Sequence, residues 1–283
     1  MRRVATAVLV ALLLSGCTQT ARPESSPTAG TPISSPTAVH TPVPRIALAP
    51  EPIKEEFLLH NPLYRAGQVT AVNCSLPTAK LNNQQAMIRY ATAFVRCLET
   101  AWGPVLTRAG FDLEPVGAVH SAPTGTDSVC GVMEKDVGAF YCSTDLGIYF
   151  NWPDYIVEGN TQQDTRTAVQ YLIAHEYGHH VQELTGMADE YADRYNAGNA
   201  AQRKVDENRN EMQAHCFAAA FFGANQVTLG IRGYRRDHYG HIGYDRNEAS
   251  YANFDRWLRQ GFKGKGPAGC NTWAAPAGSV SGV

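Results

Sequence analysis

The 283-residue chain has little net charge: 24 Lys and Arg stand against 26 Asp and Glu, a balance of −2. A nucleic-acid binder needs a basic face to neutralise phosphates, so nothing electrostatic points to that class or to any polyanion partner. No CxxC pair occurs, which argues against a Cys-bound structural zinc. The N-terminal apolar run, Val4 to Leu14, is too short to span a bilayer as a permanent helix, which takes about 20 residues. Residues 18–52 hold hardly any aromatic residue or large apolar run, so they have no means of forming a core.

What is present at the N-terminus has the layout of an export signal: Arg2 and Arg3 form a short basic region ahead of Val4 to Leu14. It ends in Leu14-Ser15-Gly16-Cys17, which resembles a bacterial lipobox, so acylation of Cys17 is expected after removal of residues 1–16; the alternative is an ordinary signal peptide with a Cys at its cleavage site. That removal leaves 22 basic and 26 acidic residues, and membrane attachment is then expected through the lipid anchor alone. Eight of the 16 prolines fall in residues 18–52. A tether over 17–55 is expected, stiffened toward polyproline II and able to reach roughly 100 Å at about 3 Å per residue. One globular domain follows over 56–275, with a flexible tail over 276–283.

Besides Cys17, six cysteines remain at 74, 97, 130, 142, 216 and 270. Export to an oxidising compartment makes an even number read as disulfides. Closeness in sequence favours Cys130 with Cys142 and Cys74 with Cys97, which leaves Cys216 with Cys270.

The stretch that carries chemistry is Tyr171 to Gln182, YLIAHEYGHHVQ. A helix turns about 100° per residue, so His175 and His179 lie on one face about 6 Å apart and can grip one zinc ion. Glu176 beside them can take a proton from a metal-activated water, as in a metallopeptidase. Asp164 or Thr165 is the expected N-cap and Gly186 the expected stop. His180 projects about 100° away from His179, so it is expected to be an exposed helix residue rather than a ligand.

Asn82 to Arg108 has apolar residues at helical spacing, Met87, Tyr90, Ala91, Phe94, Leu98 and Trp102, and predicts a core helix. After Gly110 short β-like segments follow, ending in Gly138 to Phe150, where Ile148 and Phe150 alternate with Tyr149 as in a half-buried strand. A sheet edge beside the HExxH helix would let a substrate peptide add itself as a strand. A second long helix is predicted from Asn199 to Gly223. Two histidines need a third protein ligand, and Glu211 on that helix is the choice, with Glu207 one turn earlier as competitor. The stretch Gly230 to Tyr244 is dense in Arg, His and Tyr, and His238, Tyr239, His241 and Tyr244 are candidate donors to an oxyanion.

HEYGHHVQ followed by ExQAxCFA, with Cys130-Gly131, FYCxxD at Phe140 to Asp145 and RWLxxGF…CNTW at Arg256 to Trp273, resembles the bacterial putative neutral zinc metallopeptidase family over residues 98–273. The resemblance implies a zincin-like α+β fold, with an HExxH helix beside a small sheet and a second helix supplying the Glu ligand. It further implies one Zn²⁺ held by His175, His179 and Glu211, Glu176 as general base, and pairs Cys130–Cys142 and Cys216–Cys270. Two departures stand out. The family reads ExQADCFA where this chain has His215, and an Asp there accepts a hydrogen bond from a ligating His; His215, while neutral, is expected to do the same. A His-Gly-Ser type segment is also missing, replaced by Asn247 to Tyr251, NEASY.

The sequence therefore points to a lipid-anchored, extracytoplasmic zinc metallopeptidase acting on a peptide or protein. The rival is a catalytically inactive lipoprotein that keeps the fold as a binding module. Retention of Glu176 favours the first, His215 and the altered 247–251 segment the second.

Overall fold

A computed structural model describes residues 55–231 and 249–282. The leader, Cys17 and the tether up to residue 54, and His238, Tyr239, His241 and Tyr244, lie outside those residues, while Glu55, expected in the tether, begins the first helix. A short helix α1 (Glu55–Leu59) leads to α2 (Gln84–Ala109), the predicted core helix. The Asn83 side chain accepts from the Ala86 N–H at 3.0 Å, a cap that contributes about 0.5–2 kcal/mol, and Gly110 at φ 88 closes the far end. Every residue whose spacing predicts α2 is buried, with Phe94 edge-on to Phe221 and Trp102 to Phe217.

Five short strands follow: β1 (Val119–Ser121), β2 (Asp127–Ser128), β3 (Gly131–Val132), β4 (Ala139–Cys142) and β5 (Gly147–Phe150). β2 and β3 pair as a separate hairpin, while the other three form a sheet in the order β1-β5-β4, with β5 parallel to β1 and antiparallel to β4. The half-buried strand expected at 148–150 is instead central and buried throughout. Ile148 and Phe150 enter the main core, and Tyr149 joins Ala122, Met133 and Cys142 in a small second one, so both faces are covered. β1 and β4 are the two edge strands, and β4 is the one beside the HExxH helix.

Helix α3 (Gln162–Leu184) carries the HExxH motif and starts earlier than expected. Thr161, not Asp164 or Thr165, is its N-cap, and Asp164 closes a capping box by accepting from the Thr161 N–H at 2.9 Å. α3 ends at Leu184, and Gly186, at φ 71, caps α4 (Met187–Ala197), an element the sequence did not suggest. α5 (Ala200–Ala224) matches the second predicted helix and is capped by Asn199. α6 (Tyr251–Gly264) packs along α5.

The structure joins Cys74 to Cys97, Cys130 to Cys142 and Cys216 to Cys270. The last ties α5 to the segment after α6. The tail expected to be flexible is packed instead: Val280 is buried, Trp257 Nε1 donates to the Ser279 carbonyl at 2.8 Å, and Asn253 Nδ2 donates to the carbonyls of Gly278 and Ser281. Aromatic and amide side chains of α6 supply partners that a reading of 276–283 by itself does not reveal. The arrangement is α+β, helices around a small sheet, and no helix among the described residues is long and apolar enough to cross a membrane.

Candidate metal centre

α3 and α5 cross with unusually little between them. Gly178 on α3 faces Ala214 on α5, where a Cβ on the glycine would stand 2.8 Å from the Ala214 carbonyl oxygen. Because Gly178 lies between His175 and His179, and Ala214 follows Glu211 by three residues, this contact brings the HExxH face against Glu211.

There Glu211 Oε2 lies 3.3 Å from His175 Nε2 and 3.3 Å from His179 Nε2, and the two imidazole nitrogens are 3.3 Å apart. A tetrahedral ion with bonds of about 2.0–2.1 Å has its ligand atoms about 3.3–3.4 Å apart, so this equilateral triangle fits one face of such a site. Among the described residues these three form the only His, Cys, Asp and Glu group able to hold a metal ion. Glu207 is not part of it; the side chain is exposed and paired with Lys204 at 3.0 Å.

Charge follows the same demand. Burial alone would raise the Glu211 carboxyl, but the charge on His179 and hydrogen bonds from both imidazoles outweigh it and hold the group well below the carboxylate range. Burial pushes His179 down, yet the Glu211 carboxylate beside it lifts it to about 9. His175 is lowered, first by burial and then by the neighbouring His215. Glu176 is only 4% exposed, and burial raises its carboxyl against the pull of His175, His179 and the Tyr141 main chain.

The triangle opens on a cleft of about 480 Å³. The β4 edge, at Ala139, Phe140 and Tyr141, forms one wall, and Glu207 and Asn210 of α5 line the other side. His180 helps set that wall in place. It is fully buried rather than exposed, with Nε2 donating to the Glu114 carbonyl at 2.8 Å and Nδ1 3.0 Å from the Tyr141 hydroxyl. That side of α3 is covered, so the direction His180 takes meets Tyr141 of β4 and the Glu114 main chain rather than water.

His215 also differs from expectation. It stacks on His175 with ring centroids 4.0 Å apart, and its Nδ1 lies 2.8 Å from the Tyr171 hydroxyl. Among the described residues the buried His175 Nδ1 has no hydrogen-bond partner, so His215 does not orient that ligand as an Asp acceptor would. A flat ring at this position fills the space between His175, Tyr171 and Phe254 instead of presenting a lone pair in the plane of His175. Beside His179 stands a residue the sequence reading missed: Gln182 Oε1 is 2.8 Å from His179 Nδ1. Its position three residues after His179, on the same helix face, is the signal that could have found it.

Of the expected residues, the structure brings His175, Glu176, His179, Glu211 and His215 together. Of the altered segment, Tyr251 begins α6, Ser250 is its N-cap and Ala249 is buried just before it.

The chain is 26% identical over 219 residues to the uncharacterized protein YpfJ of Escherichia coli K12, covering 68% of this chain and 73% of that protein. It is 34% identical over 142 residues to the uncharacterized protein Rv2575 of Mycobacterium tuberculosis, 46% of this chain and 45% of the relative, so it spans under half of that protein. No solved structure matches. A family profile described as "Putative neutral zinc metallopeptidase" matches residues 61–232, starting before and ending before the span expected from the motifs, and with more than half of its length matched the chain belongs to that family.

Proposed function

We propose that this chain is an extracytoplasmic zinc metallopeptidase of zincin architecture, exported by residues 1–16, anchored by lipid on Cys17 and held off the membrane by the tether over 17–55. The observation that carries this reading is the 3.3 Å triangle of His175, His179 and Glu211 with the buried Glu176 carboxylate beside it. Those three residues would hold one zinc ion, which when bound supplies a Lewis acid that polarises a carbonyl and lowers the pKa of water. Glu176 takes the proton of the attacking water and passes it to the leaving amine, and burial, which raises its carboxyl, suits it to both steps. A substrate peptide runs along the open edge of β4 and gains main-chain hydrogen bonds there. Donors to the developing oxyanion come from His238, Tyr239, His241 or Tyr244.

A second reading, an inactive zincin-fold lipoprotein that binds a partner, is favoured by one observation: the His175 Nδ1 atom has no hydrogen-bond partner among the described residues. Chelation followed by zinc add-back tests the first against it. Peptide cleavage lost with the metal and restored by zinc supports the peptidase. Zinc bound at one ion per chain with no cleavage of a peptide library supports the binding module.

A further inference from the structure

We propose that Gln182 is a positioning residue for the metal centre: it fixes the tautomer and ring orientation of His179, and a buried amide relay running to the C-terminal segment fixes Gln182 in turn. The inference deepens the metal-centre reading and rests on it.

Amide oxygen and nitrogen look alike, so the orientation of Gln182 must come from its partners. One partner decides it. Gln182 nitrogen Nε2 sits 2.9 Å from the main-chain carbonyl of Asn210, a group that can only accept. The nitrogen therefore faces Asn210, the oxygen faces His179, and His179 Nδ1 must carry the hydrogen that Gln182 Oε1 accepts at 2.8 Å. In the neutral imidazole that a metal ion requires, the lone pair of His179 is then left on Nε2, the atom at 3.3 Å from Glu211 and from His175 Nε2. Asn210 Nδ2 is 3.4 Å from the same Nδ1 and would ask for the opposite tautomer, but the 2.8 Å contact is much the stronger.

The same logic repeats one residue outward. Gln182 Nε2 gives its second hydrogen to Gln213 Oε1 at 3.0 Å, and that oxygen also accepts from Trp273 Nε1, a donor only, at 3.3 Å. Gln213 Nε2 donates to the Cys270 carbonyl at 3.2 Å and to the Tyr64 hydroxyl at 2.8 Å, which donates to the Leu58 carbonyl at 2.9 Å. Gln182 and Gln213 are both buried, and a main-chain carbonyl or an indole N–H pins the relay at each turn. Flipping either amide would set like against like in a dry interior. His179 Nδ1 is thus held by a hydrogen bond, whereas His175 Nδ1 has no partner among the described residues and that ring stacks on His215.

The test is zinc affinity by chelator competition on the full chain, comparing wild type with Gln182→Met and Gln182→Glu. Met removes the acceptor and both donors. Glu keeps the acceptor for His179 and removes only the donors to Asn210 and Gln213. Action through His179 predicts zinc binding weaker by about 10 to 100-fold for Gln182→Met and by less than about tenfold for Gln182→Glu. A merely structural role predicts equal losses, because both variants break the relay. Equal losses, or a Met variant that binds zinc as tightly as wild type, overturn the proposal. Tryptophan emission and protease resistance report folding, and Gln182→Leu carries the same expectation if the Met variant does not fold. A wild type that binds zinc no better than His175→Ala would instead overturn the metal-centre reading itself, a result distinct from either of these.

Discussion

Replacing Gly178 by Ala adds a single methyl group where α3 and α5 touch. Built on the glycine, that carbon stands 2.8, 2.9 and 3.1 Å from the oxygen, Cα and carbonyl carbon of Ala214. All three are main-chain atoms, so no rotamer change relieves the contact and the helices must part by roughly 0.6 Å to reach ordinary packing distance. Overpacking of this kind costs about 1–3 kcal/mol. Alanine in place of a mid-helix glycine returns about 1 kcal/mol, leaving a net loss of about 0–2 kcal/mol in stability. The effect on the metal centre is larger, because the same movement draws Glu211 away from His175 and His179. A triangle opened from 3.3 Å toward 4 Å cannot close on bonds of about 2.0–2.1 Å, and zinc affinity should fall by about 10 to 100-fold. Gly264→Ala is the control, since that glycine ends α6, is exposed, and has nothing within 4 Å of an added Cβ. It should gain up to about 1 kcal/mol and leave zinc binding unchanged. Denaturant unfolding and chelator competition on both variants give the answer. A Gly178→Ala chain that binds zinc like wild type and is stabilised as much as Gly264→Ala would refute the claim that this crossing sets the ligand geometry.

Two further outcomes follow from the same geometry. Glu211→Ala should strip zinc as thoroughly as His175→Ala in metal analysis, whereas Glu207→Ala, which removes an exposed partner of Lys204, should leave one ion per chain. Burial lowers His215 from 6.5 to about 4, so the folded state binds fewer protons than the unfolded state between those values, and stability is lost as pH falls below 6.5. His215→Gln removes that group, and urea unfolding at pH 7.5 and 5 should shift in favour of the variant by about 2 kcal/mol at the lower pH; a pH-independent difference would contradict the assignment.

The long helices were legible because their ends and apolar spacing are local: Asn83 and Asn199 cap α2 and α5, and the residues from Met87 to Trp102 bury one face. The HExxH pair was legible for the same reason, since four residues on a helix is a fixed distance. What the sequence hid depends on covering from elsewhere. α3 is buried on nearly all sides, so polar His180 looks like a surface residue until Glu114 and the β4 edge are seen against it. Tyr149 alternates with Ile148 and Phe150, but the fold packs a second small core on its face, and the strand becomes central. Gln182 is one polar letter after the motif, and its role depends on Asn210, Gln213 and Trp273, which only the tertiary structure brings near. The chemistry of the Asp that His215 replaces predicts a hydrogen bond to a ligand, whereas the His215 ring stacks on His175 instead.

The most direct test of the central claim compares wild type with Glu176→Gln at equal zinc content against an unbiased peptide library. Glutamine keeps the shape beside the ligands but cannot take a proton, so both forms should hold one zinc per chain, with cleavage by wild type and a rate lower by about 10² to 10⁴-fold in the variant. Full zinc with cleavage by neither form, or equal cleavage by both, would contradict the account.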